Sequence, residues 1–132
     1  MRRLPGVVGD LVGAAGTAAG GALGKPSDRR LKKNIESLSG VLDKLARIQP
    51  VAFDYIHTGR HQIGVIAQEI EPHFPQAVSK GSLGEEHMMT VDYGQLVAVA
   101  LQSSKELHAM VEKLSKRVEE LEAAQVTSRA VA

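Results

Sequence analysis

Near the C-terminal end, apolar residues recur at alternating steps of three and four: Val97, Ala100, Leu107, Val111, Leu114, Val118 and Leu121, with Ser104 in register. That spacing allows few solutions, because it lines one narrow stripe of a helix and leaves the other faces polar. Glu112, Lys113, Lys116, Arg117, Glu119, Glu120 and Glu122 cover those faces. A helix packed on its own domain shows a broader stripe, so the seam of Val97, Leu107, Val111, Leu114, Val118 and Leu121 predicts a self-associating coiled coil over 96–126. Residues 127–132 carry no seam and are expected to form a disordered tail. Valine at one seam position and leucine at the other is the pattern of a two-stranded coil.

The rest of the chain must build its core mostly from aliphatic side chains, since its 132 residues include 2 Phe, 2 Tyr and no Trp. The absence of cysteine excludes disulfides, a thiolate metal site and a cysteine nucleophile. A formal charge of +1 supplies no field for tracking nucleic acid, and none is expected as a partner. His57, His61, His73, His87 and His108 match no zinc spacing, and Gly81-Ser82-Leu83-Gly84 lacks the lysine of a phosphate loop. No cofactor and no metal are therefore expected.

Leu38, Val41, Leu42, Leu45 and Ile48 predict a helix capped by Ser37 or Ser39 and ended by Pro50. Val51, Phe53 and Tyr55 alternate as in a half-buried strand, and the turn-like stretch His57 to Arg60 joins them to an antiparallel partner around Gln62 to Ile66. A short helix from Ala67 is confined by Pro72 and Pro75. A polar loop, Lys80 to Glu86, then precedes an apolar patch at Met88 to Val91. Residues 63–69 are expected to form the internal spine of this head, with Phe53, Tyr55 and Phe74 packed on it and Gly64 present for close backbone approach. The fold class is thus α+β: a small mixed head over 27–95 followed by the coiled-coil helix.

Residues 1–26 have a different texture, holding Gly6, Gly9, Gly13, Gly16, Gly20, Gly21 and Gly24 with a single acid, Asp10. A flexible leader fits this composition; the small-residue spacing also suits helix packing or membrane contact, and Arg2-Arg3 before an apolar run suits a cleaved signal.

Ser27 is followed by Asp28-Arg29-Arg30-Leu31-Lys32-Lys33. Serine is a weak nucleophile without a base, and lysine is one residue type that can serve as that base. Alone, a serine near a lysine is usually a turn residue before a basic stretch. The order of motifs says more. Ser27 to Ile35 is followed by Pro50-Val51-Ala52-Phe53-Asp54-Tyr55, Ile63 to Glu71, Phe74-Pro75-Gln76-Ala77-Val78, Val91-Asp92-Tyr93-Gly94-Gln95-Leu96 and the heptads. This series, from Ser27 to about Leu121, resembles the intramolecular chaperone, or self-cleaving peptidase, domain of endosialidase-type phage tailspikes and tail fibres. The resemblance implies a homotrimer that assists folding of a fibre or tailspike client and then cuts itself free. It implies Ser27 as nucleophile, Lys32 as general base and Pro26-Ser27 as the scissile bond. It also implies a location in the virion tail, or in the host cytoplasm during assembly. A non-cleaving trimerisation or attachment module, docking a partner or membrane through 1–26, is the alternative.

Overall fold

A computed structural model of the chain describes residues 25–83 and 86–131. They fall into two units, one ending at Ser37 and one running Leu38–Ala132. The leader, helix-packing and signal readings of the glycine-rich segment fall on residues 1–24, outside the described residues.

In the first unit a 3₁₀ turn spans Arg29–Leu31, and the chain then passes Asn34 at φ 51°. In the second unit the described residues form α1 (Leu42–Leu45), β1 (Val51–Asp54), β2 (His61–Gly64), α2 (Ala67–Ile70), β3 (Val78–Leu83), β4 (Glu86–Val91) and the long α3 (Tyr93–Val131). The class is α+β, as expected. β1 and β2 pair antiparallel from Val51↔Gly64 to Asp54↔His61. Their connection turns through Gly59 at φ +64°, whose N–H donates to the Tyr55 carbonyl at 2.7 Å. Pro72 follows α2 closely, and a second 3₁₀ turn, Pro75–Ala77, leads into β3. β3 and β4 form a second antiparallel hairpin, from Val78↔Val91 to Leu83↔Glu86.

The core gathers Val41, Ile48, Ile70, Phe74, Ala77 and Val99, flanked by half-buried Leu45, Val65, Val78, Val91 and Leu96. Burying a side chain such as Ile70, which is 1% exposed, contributes about 1.5–3 kcal/mol. With so few fully buried residues, side-chain pairing to the backbone matters more. The Glu106 carboxylate, on α3, accepts the N–H groups of Val41 at 3.1 Å and Leu42 at 3.2 Å, which would otherwise lack partners at the start of α1. At the start of α3, Asp92 Oδ1 accepts the Gly94 N–H at 2.9 Å.

Several expectations are corrected. The helix expected over 38–48 shrinks to the single turn of α1, because Gly40 at φ +64° cannot continue a helix and Val41, not a serine, precedes the turn. The polar stretch Lys80 to Leu83 is strand rather than loop: its backbone pairs with β4 irrespective of side-chain polarity. The spine assigned to 63–69 is displaced. Ile63 is 83% exposed and Tyr55 is exposed, because both lie away from where α1 and the Pro75–Ala77 turn pack on α3 and the core forms, whereas Ile70 and Phe74 are buried in that core. Finally, α3 starts at Tyr93 and stays helical through Val131, so 127–131 is not a disordered tail. Ala123 to Val131 contains no glycine or proline to stop it.

The close approach at Gly64 is present. A Cβ there would run into the Tyr93 hydroxyl and lie 3.3 Å from the Phe53 ring, while the same hydroxyl accepts the Val65 N–H at 3.2 Å. Gly64→Ala should therefore cost about 1–3 kcal/mol in urea unfolding, and less in a Tyr93→Phe background where the obstructing oxygen is gone. Equal costs in the two backgrounds would contradict this contact.

Glu106 gives a pH dependence. Burial pushes its carboxyl up, but hydrogen bonds from Gln102 and from the backbone of Leu42, Val41 and Gly40 outweigh this and hold it below its usual range. The folded head then binds fewer protons than the unfolded chain, so this stabilisation is complete above the ordinary glutamate range and is lost as pH falls through the folded value. The Tm of the unmodified chain should fall more steeply from about pH 5 to pH 3 than that of Glu106→Gln, which should start lower at neutral pH. Parallel Tm curves would contradict the role given to this carboxylate.

Candidate functional site

Asp28 begins the site. Its backbone is extended, at φ −61° and ψ 134°, and its Oδ1 accepts the Arg30 N–H at 2.8 Å, the geometry of a cap. The Arg30 guanidinium closes a fork on the same carboxylate, with Nε 3.0 Å from Oδ1 and Nη2 2.8 Å from Oδ2. Two backbone bonds complete the turn: Leu31 N–H to the Asp28 carbonyl at 3.0 Å, and Lys32 N–H to the Arg29 carbonyl at 3.1 Å. The turn reverses the chain, and Lys32 Nζ donates to Ser27 Oγ at 2.8 Å. The serine and lysine singled out in the sequence are thus brought together, with the Pro26-Ser27 peptide bond immediately before them. Both are exposed, as is Pro26. The hydrogen bonds from Arg30 hold the Asp28 carboxyl down at about 2, and the same pairing raises the Arg30 guanidinium.

A hydroxyl in contact with an amine, next to a peptide carbonyl, has the parts for acyl transfer: nucleophile, proton acceptor and an electrophile in the same chain. The histidines are dispersed. His61 Nδ1 lies 2.7 Å from Asp54 across the first hairpin, and His108 lies 3.4 Å from Glu112 along α3. Among the described residues no group of three or more metal-ligating side chains is placed to hold an ion, and no helix is long and apolar enough to cross a membrane.

All six seam residues, Val97, Leu107, Val111, Leu114, Val118 and Leu121, are exposed on α3, from 48% at Leu121 to 61% at Leu114. Val99 on the same helix is buried in the core, and two residues turn a helix by about 200°, so Val97 faces away from the surface that holds the head. Ser104, in the seam register, bonds back to the Ala100 carbonyl at 3.1 Å, which satisfies its hydroxyl within the helix. Sequence reading missed the Asp28–Arg30 clamp, although an Asp at the start of a polar turn is a capping signal. It also missed the Tyr93 hydroxyl and the Glu106 cap, which depend on contacts across 28 and about 65 residues and leave no local trace.

Comparison with known proteins gives an independent result. Residues 27–79 match the family described as chaperone of endosialidase, and the match begins at Ser27. The long tail fiber protein Gp37 of Enterobacteria phage M1 and that of Enterobacteria phage Ox2 are each 27% identical to this chain over 95 residues. Each alignment covers 67% of this chain and 38% of the relative, so the chain corresponds to well under half of those fibre proteins. The resemblance drawn from the sequence is borne out by these matches.

Proposed function

We propose that this chain is an intramolecular chaperone for a tail-fibre or tailspike-type client, which assembles through α3 as a homotrimer and frees itself by autoproteolysis before Ser27. The observation that carries the cleavage is the 2.8 Å contact of Lys32 Nζ with Ser27 Oγ at the first residue of the family match. The tail-fibre relatives support the class of client. The unpaired apolar seam supports association, since exposed residues at heptad spacing bury their surface only against further helices. The number three rests on the family resemblance.

In the reaction, the Ser27 hydroxyl oxygen attacks the Pro26 carbonyl carbon while the Lys32 amine acts as general base and takes the hydroxyl proton. The tetrahedral intermediate collapses by breaking the bond to the Ser27 nitrogen, which receives the proton from Lys32 and becomes a free α-amine. An ester now links Pro26 to Ser27 Oγ. Water hydrolyses it, leaving a carboxylate on Pro26 and restoring the serine hydroxyl. No cofactor enters this scheme. The reaction occurs once per chain, so the activity is processing rather than turnover.

Intact mass against time tests the proposal. Ser27→Ala should leave the chain whole, and Lys32→Ala should slow cleavage by about 10²–10⁴-fold, whereas Lys33→Ala should cleave as the unmodified chain does. Cleavage that survives in Ser27→Ala, or that Lys33→Ala reduces as much as Lys32→Ala, would overturn these roles. Leu114→Lys places a charge in the seam and should leave a monomer by light scattering. An oligomer of unchanged mass would remove the seam from the account.

A further inference from the structure

Ser27 and Lys32 are both exposed, and lysine is among the side chains with the most rotamer freedom to lose. Their contact persists only if the intervening backbone is held in a turn. The intervening bonds identify what holds it. One carboxylate, that of Asp28, collects three N–H donors from a single residue: the Arg30 backbone at 2.8 Å, its Nε at 3.0 Å and its Nη2 at 2.8 Å. A lone exposed ion pair adds little, but a two-point fork combined with a backbone cap ties Arg30 to Asp28 through main chain and side chain at once. We propose that Asp28 and Arg30 are positioning residues for the Ser27–Lys32 dyad, locking the 3₁₀ turn across which the lysine amine reaches the serine hydroxyl.

This assignment rests on the cleavage reading above and adds to it the means by which the dyad is preorganised. Neither residue touches the scissile carbonyl or exchanges a proton with Ser27. Asp28 is spent on Arg30, and the Arg30 cation is spent on Asp28. The Asp28 carboxyl, held at about 2 by the hydrogen bonds from Arg30, is ionised throughout the neutral range, so the charge the fork needs is always present. The order of residues matters as well: with Asp28 next to the nucleophile and Arg30 two residues on, the clamp encloses the peptide units whose rotation would swing Lys32 away.

The experiment is a rate cycle on the full chain, read by intact mass, with oligomer mass and circular dichroism recorded for every variant. Asp28→Asn keeps the shape but weakens the fork, and Arg30→Gln removes it. Each should slow cleavage by about ten- to a hundredfold, the cost of a misplaced reacting group, with assembly unchanged. In a Lys32→Ala background Asp28→Asn should cause no further loss, since a residue that acts by placing Lys32 has nothing left to place. A variant that cleaves at the unmodified rate, or a loss in Asp28→Asn that multiplies with that of Lys32→Ala, would overturn the positioning role. If the unmodified chain stays whole, the cleavage reading fails and the clamp is judged separately by nuclear Overhauser contact between the Ser27 β-protons and Lys32 ε-protons. Loss of that contact in Asp28→Asn upholds the positioning, and its retention refutes it.

Discussion

Glu106 ties the head to the helix on which the head is built. Its carboxylate takes the N–H groups that begin α1, seven residues along α3 from Val99, which is buried in the core. Those two contacts fix which face of α3 belongs to the head, and so leave the seam from Val97 to Leu121 facing elsewhere. The same helix therefore has two unlike jobs. One stripe closes a small core within the chain, and the other presents apolar surface that no other described residue covers. A small core is the corollary, since side chains that might have enlarged it are placed on the seam instead.

The proposed cleavage depends on a different scale of structure. Ser27 and Lys32 meet across a single turn of backbone, bounded by Asp28 and Arg30, so the dyad geometry is encoded within six residues. Under the proposed function, cleavage that waits for assembly would be confined to chains that have folded.

How much of this was legible depended on range. The α3 helix was readable because its apolar spacing repeats several times, and the first hairpin because Val51, Phe53 and Tyr55 alternate beside a turn-like His57 to Arg60. Gly64 was readable as a close approach, but its partner, the Tyr93 hydroxyl, was not, since nothing near Gly64 announces it. The helix expected at 38–48 failed because apolar spacing ignores Gly40, whose positive φ ends any helix before Val41. The second hairpin was hidden by Lys80 and Gly81, residues with weak strand preference that pair through their backbone. At the site, residue type and family order picked out Ser27 and Lys32, whereas the Asp28–Arg30 fork exists only in the folded turn.

Native mass spectrometry of the full chain over a range of concentrations reads assembly and covalent mass together, and bears most directly on the claim that processing follows assembly. The account predicts trimers of chains that begin at Ser27, with full-length chain confined to the monomer and to trimers sampled before cleavage. Full-length trimers that persist unchanged, or cut chain appearing first among monomers, would contradict it.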